Sequence, residues 1–215
     1  MEFMDINNKT VLVLAPHTDD GEFGCGGSIA RFKRENNRVY YIAFSDAEKS
    51  VPEEYPRDQL KKELARAMKI FSVDEDHYEV HSYPVREFPL HRQSILDFMI
   101  LLKRRVNPDV VFLPSSFDTH QDHQTIFEEG FRAFKDKTLL GYEVPWNNLT
   151  FPTQAFVLLE EADIGKKIEA LKCYETQKDR FYTSEEFIRS LALVRGTQIG
   201  QHYCEVFEII RWVLY

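Results

Sequence analysis

The sequence predicts an α/β fold with a mostly parallel sheet and helices on both faces, and three observations predict it. Short β-branched runs alternate with longer segments of helical period, the pattern of βαβ units. Two of the runs, Val11-Leu12-Val13-Leu14 and Val110-Val111-Phe112-Leu113, are apolar throughout and read as buried strands. Each is followed by a cluster of histidines and carboxylates, which one parallel sheet would deliver to a single edge.

Val11 to Ala15 is the first strand and Arg38 to Phe44 the second. Between them Ser28 to Arg34 is helical, preceded by Gly24, Gly26 and Gly27, which permit close packing of helix on strand. Asp58 to Phe71 carries Leu60, Leu64, Ala67, Met68 and Phe71 at a spacing of three and four, an amphipathic helix. His77 to Tyr83 is a weaker strand. Ser94 to Val106 is a helix closed by Asn107-Pro108, because the residue before proline is pushed out of the helical region. Asp109 to Leu113 is a strand and His123 to Phe134 a helix. From about Leu139 the pattern is less regular: Gln154 to Leu158 is strand-like, Ile164 to Tyr174 and Glu185 to Val194 are helical, and Tyr203 to Ile210 is strand-like. No linker, repeat or low-complexity tract interrupts the 215 residues, so residues 1–215 are expected to form a single domain.

The formal net charge of -8, from 27 basic and 35 acidic residues, argues against a nucleic-acid partner, whose phosphates require basic groups. Cys25, Cys173 and Cys204 are odd in number and lack paired metal-knuckle spacing, which suits free thiols in a reducing compartment. The N-terminus, Met1 to Ile6, lacks a basic n-region and an apolar h-region, and no apolar run approaches the roughly 18 residues a membrane span needs. A cytoplasmic protein without a membrane span is expected; the sequence leaves open a homo-oligomer.

His17 and Asp20 lie three apart in the turn after the first strand, where an imidazole and a carboxylate can converge on one ion. His123, at the start of a helix after another parallel strand, reaches the same crevice from a second loop. Two histidines, one carboxylate and an open position describe a catalytic zinc site, and iron or cobalt also fits. Such an ion lowers the pKa of bound water to about 7. Asp19 diverges from Asp20 and is free to take a proton from that water and return it to a leaving amine. His120 can carry positive charge toward a developing oxyanion, with Asp122 or Asp118 holding its far nitrogen.

Each residue also has a plain structural reading: Asp19 and Asp20 as helix caps, Asp118 and Thr119 as a turn. Two such clusters after two strong strands are hard to account for by capping alone. The run Gly21 to Gly27 suggests a dinucleotide loop, yet its spacing does not reproduce G-x-G-x-x-G, and Asp19 and Asp20 put acid where a pyrophosphate would lie. Tyr142, Trp146 and Phe151 are candidates for a sugar-binding rim. Cys25, between glycines and without a basic partner, reads as a packing residue, and His77, His81, His91 and His202 read as structural.

The stretch Ala15-Pro16-His17-Thr18-Asp19-Asp20-Gly21-Glu22, with Gly24-Cys25-Gly26-Gly27 behind it, resembles the A-H-P-D-D-E…G-C-G-G segment of the LmbE/PIG-L family of zinc-dependent N-deacetylases. Asp118-Thr119-His120-Gln121-Asp122-His123 resembles its D-x-H-P-D-H motif. Lys167 to Gln177 is similar to its K-x-x-A-L-x-x-Y-x-S-Q helix, and Arg195-Gly196, Gly200 and Tyr203 to Phe207 to its closing segment. The four segments fall in the family's order across Val11 to Phe207. The resemblance implies a Rossmann-like fold and hydrolysis of an N-acetyl group on an amino sugar or sugar conjugate. It also implies His17, Asp20 and His123 as zinc ligands, Asp19 as general base and acid, and His120 as oxyanion stabiliser oriented by Asp122. Thr18 replaces the family's proline, Pro16 its alanine, and Gly21 its closing glutamate, with Glu22 one place later. The arginine that the family places before the glutamate near Glu63 is out of register: Leu60 holds its place and Arg57 sits a turn earlier.

Two other functions fit the same residues: a metal phosphohydrolase, and a non-catalytic sugar- or nucleotide-binding relative. The first calls for a basic anion clamp, and the segments near the motifs hold no clustered Arg or Lys. Retention of Asp19 argues against the second.

Overall fold

The computed structural model describes residues 8–213; the Met1 to Ile6 stretch read above lies outside the described residues. Seven strands form one sheet in the order β3-β2-β1-β4-β5-β7-β6. The strands are β1 (Thr10–Ala15), β2 (Arg38–Ala43), β3 (Tyr78–Val80), β4 (Val110–Pro114), β5 (Thr138–Tyr142), β6 (Ala155–Leu159) and β7 (Tyr203–Arg211). The helices are α1 (Asp20–Arg34), α2 (Gln59–Ile70), α3 (Arg92–Val106), α4 (Gln121–Ala133), α5 (Glu161–Lys172) and α6 (Glu185–Thr197). The first five strands in sheet order run parallel, while β7 is antiparallel to both β5 and β6. The expected Rossmann-like α/β architecture is therefore present, with an antiparallel edge.

Alternate residues of β1 serve two cores, because successive strand side chains point to opposite faces. Val11, Val13 and Ala15 pack with α1 and α2, and Leu12 and Leu14 pack with α3 and α4. A third cluster, including Ile164, Ile168, Leu171 and Ile188, joins α5 to α6.

Three differences from the sequence reading bear on the site. First, β5 is buried along its whole length where no strand was expected, because Gly141 and the short run Leu139-Leu140 give too little periodic signal. Second, α1 begins at Asp20 rather than Ser28 and carries the glycines inside it; a Cβ at Gly24 would run into the Tyr142 ring, so glycine permits the close approach. The helix is broken at Cys25 (φ -145°). Third, α4 begins at Gln121 with His120 as its N-cap, two residues before the expected start. The helix α3 ends as expected, on Asn107 in the left-handed conformation (φ 45°) before Pro108.

Candidate active site

The connection from β1 turns toward β2, and β4 lies on the other side of β1, so the sheet order reverses beside β1. Ligands of open α/β sheets bind in the crevice at such a switch point, beyond the carboxyl ends of the strands. The loop after β1 brings His17, Asp19 and Asp20 there, and the loop after β4 brings Asp118, His120, Asp122 and His123.

Asp20 Oδ2 sits between two imidazoles, 3.0 Å from His17 Nδ1 and 3.2 Å from His123 Nε2. These separations approach the ~3.3 Å edge of a tetrahedron built with metal–nitrogen and metal–oxygen bonds of about 2.0–2.1 Å. Donor atoms of His17, Asp20 and His123 all lie within 4.8 Å of one another. A second trio, His17, His120 and Asp122, meets the same limit. The far nitrogens favour the first. His17 Nε2 faces Asp122 Oδ2 at 3.0 Å, and His123 Nδ1 faces Asp118 Oδ2 at 2.8 Å. Both imidazoles thus carry a carboxylate on the nitrogen turned away from Asp20, the usual arrangement behind metal-ligating histidines. The donor set fits a divalent transition ion.

Burial opposes charge on His17 and His123, but the facing carboxylates of Asp20, Asp122 and Asp118 override it and hold their pKa values at about 9 and about 10. Asp20 is buried, and the two imidazoles nevertheless keep its carboxyl well below the usual range. Three imidazole and carboxylate groups locked in this way store an electrostatic arrangement that a cation can replace.

Asp19 occupies the N-cap position of α1 but makes no side-chain cap hydrogen bond, so the capping explanation for it fails. Burial and the neighbouring Asp20 charge raise its pKa to about 6. Asp20 likewise turns its carboxylate to the imidazoles, and also accepts the His17 backbone N–H at 2.8 Å.

His120 differs from expectation. Its Nδ1 accepts the backbone N–H of Asp122 at 3.1 Å, which leaves the ring proton on Nε2. Burial, and then the nearby His123 and His17, push its pKa down. The accepting Nδ1 and the lowered pKa both favour the neutral ring with its proton on Nε2. The expected orientation of His120 by the Asp122 carboxylate is also replaced: that carboxylate holds His17 and accepts the Arg86 and Phe88 backbone N–H groups at 2.7 and 3.3 Å. Nδ1 of His120 is oriented by the first turn of α4 itself, a contact that no motif spelling displays.

The constellation opens into a cleft of about 380 Å³. Of the aromatic candidates, Trp146 lines it and stacks on Tyr182 at 3.8 Å between ring centroids. Tyr142 does not; it is fully buried, its hydroxyl donating to the Leu14 carbonyl. Phe151 is not among the lining residues. Leu60 lines the cleft, whereas Arg57 is exposed and bonds the Glu48 carbonyl. Sequence reasoning missed Arg86, Arg180 and Tyr182, which come from loops without motif character. The backbone of Arg86 is unusual: its φ of +69° is a left-handed conformation that costs a non-glycine residue of order 1–3 kcal/mol.

A Rossmann-like sheet with a two-histidine, one-aspartate constellation at its switch point defines an α/β protein with a candidate catalytic metal centre. The family comparison is more specific. Residues 12–134 match the PIG-L family model, described as GlcNAc-PI de-N-acetylase, and the chain belongs to that deacetylase family. It is similar to the uncharacterized deacetylase YaiS of Escherichia coli K12, 25% identical over 78% of this chain and 91% of that protein. Among solved structures it resembles the conserved protein TT1542 from Thermus thermophilus (TM-score 0.79, 26% identity, 96% of this chain and 97% of that one). It also shares the fold of N,N'-diacetylchitobiose deacetylase from Pyrococcus horikoshii (TM-score 0.78, 22% identity, 94% and 84%). No helix among the described residues is long and apolar enough to cross a membrane.

Proposed function

We propose that this chain is a zinc-dependent N-deacetylase that hydrolyses the acetamido group of an N-acetylated amino sugar or sugar conjugate. The observation that carries the reading is that Asp20 Oδ2 lies 3.0 and 3.2 Å from nitrogens of His17 and His123, all three donors within 4.8 Å of one another, with the carboxylate of Asp19 beside them and committed to no cap. His17, Asp20 and His123 would hold the ion, which when bound supplies Lewis acidity to water and to the amide carbonyl. Asp19 accepts a proton from the attacking water and delivers it to the nitrogen as the C–N bond breaks. A carboxylate raised to about 6 is suited to both transfers near neutral pH. His120 donates its Nε2–H to the developing oxyanion, and Asp122 and Asp118 fix the imidazoles of His17 and His123. Action in the cytoplasm is part of the proposal and rests on three free thiols, Cys25, Cys173 and Cys204.

The test is acetate release from a panel of N-acetyl sugars, with metal analysis of protein purified without added ions. Chelation is expected to abolish release and added zinc to restore it. Asp19→Asn is expected to keep the metal and lose on the order of 10²-fold or more in kcat. Ligand binding indifferent to chelator with no acetate released would instead identify a binding protein.

A further inference from the structure

We propose that the cleft carries a second subsite, formed by Arg86 and Arg180, for an anionic group, phosphate or carboxylate, borne by the substrate. This rests on the deacetylase reading and specifies the class of N-acylated molecule that the site takes.

Apart from Asp19 and Asp20 at the candidate metal centre, Arg86 and Arg180 are the only lining residues that carry a formal charge at neutral pH independently of histidine protonation. Among the described residues neither has a carboxylate within ion-pair distance, in a chain whose acids outnumber its bases. Several arginines outside the cleft are paired, among them Arg34 with Asp163, Arg92 with Glu129 and Arg195 with Glu143, while Arg38, Arg57 and Arg211 bond neutral oxygens. The backbone of Arg86 is pinned against the site, its N–H bonded to the Asp122 oxygen that faces His17, and its left-handed φ of +69° is a conformation that favours glycine. Arg86 is exposed and its guanidinium makes no hydrogen bond or ion pair within the described residues, so its N–H groups are open to a ligand in the cleft. Arg180 is held at one end only: Nη1 donates to Tyr182 Oη at 2.6 Å, and Tyr182 is itself stacked on Trp146. The other N–H groups of its guanidinium bond nothing else among the described residues. Arg180 is also near enough to Asp19 to favour the ionised carboxylate. A guanidinium with free N–H groups matches carboxylate and phosphate oxygens in the same bidentate geometry. Leu60 gives the cleft wall no charge, and both cations come from loops.

The experiment measures kcat/KM for acetate release by metal-loaded protein on N-acetylglucosamine, N-acetylglucosamine 1-phosphate and N-acetylmuramic acid. Wild type, Arg86→Gln, Arg180→Gln and the double variant are compared. At low salt one charged sugar is expected to exceed the neutral one by about tenfold or more, and the phosphate and carboxylate arms tell which anion fits. That ratio is expected to fall toward unity in the double variant and with rising ionic strength. Equal kcat/KM for all three sugars in wild type, or a preference that survives the double substitution, overturns the subsite. A loss shared equally by neutral and charged sugars also overturns it, and assigns Arg180 to tuning Asp19. If no acetate is released from any sugar, the deacetylase reading fails by itself. The subsite is then judged by calorimetric binding of the same three molecules: a charged-sugar preference lost in the double variant supports it, and no preference overturns it.

Discussion

His17 and Asp122, 105 positions apart, meet at 3.0 Å between Nε2 and Oδ2. The same carboxylate oxygen takes the Arg86 backbone N–H, so one fully buried aspartate links a candidate metal ligand to the wall of the cleft. Asp118 stands in the same relation to His123. Sequence spelling places both aspartates beside His120, and the fold sends both to other imidazoles.

Asp122→Asn is expected to weaken zinc affinity about 10–100-fold while the protein stays folded, since partners behind a ligating histidine set its orientation and basicity. Competition against a chromophoric chelator measures the affinity, and circular dichroism reports the fold. Unchanged affinity in the variant would remove Asp122 from the metal centre.

Glu22 carries a pH prediction. It is fully buried, and Tyr41 and Tyr174 each face both its carboxyl and the Thr18 carbonyl. Two phenolic protons cannot serve four such contacts, whereas a carboxylic acid adds a third donor. Burial pushes the Glu22 pKa to about 8 against the bonds from the two tyrosines, from 4.5 in the unfolded chain. Because the folded state holds the proton more tightly, its contribution to stability is present in full below pH 4.5 and is lost as pH rises through about 8. Glu22→Gln should therefore gain stability relative to wild type between these limits as pH increases, while Glu22→Ala, which leaves a cavity and takes one partner from each of two buried hydroxyls, should lose on the order of 2 kcal/mol or more. Urea melts at several pH values decide; a wild-type and Glu22→Gln difference that is flat with pH would show Glu22 to be ionised throughout.

Lys167 and Glu205 repair a helix. The break at Cys25 deprives Phe23 of its helical donor, and Lys167 Nζ takes that carbonyl at 2.6 Å. Glu205 receives the freed N–H groups of Gly27 and Ser28 at 2.9 and 2.7 Å, and pairs with Lys167 at 2.7 Å. Lys167→Met should destabilise the fold by about 3 kcal/mol or more, because it leaves a buried charge without its partner. A double-mutant cycle with Glu205→Gln, read by denaturant midpoints, should show strong coupling. Additive losses would mean that the two side chains act on α1 independently.

The sheet core was legible because β1 and β4 are strongly apolar and the helices α2 and α3 repeat their apolar residues every three or four positions. The strand β5 was not, since it is short and its pairing partners in β4 and β7 lie 28 or more positions away in sequence, so its burial comes from the sheet rather than from local pattern. Tyr142 is the instructive residue: as sequence it could equally line a sugar site, and only the close approach permitted by Gly24 puts its ring into the core.

The amino-acid sequence by itself determined the two donor clusters, the strands that carry them and the family they spell, because each motif is local and a strand followed by a tight turn projects its side chains predictably. Tertiary structure alone decided which carboxylate holds which imidazole, that His120 turns Nδ1 to the start of α4, and that Arg86 and Arg180 reach the cleft. Those pairings depend on strand register, on the backbone N–H groups at the start of α4 and on loops that bear no motif. Contacts between groups about a hundred residues apart are set by how layers pack, and no spacing along the chain encodes them.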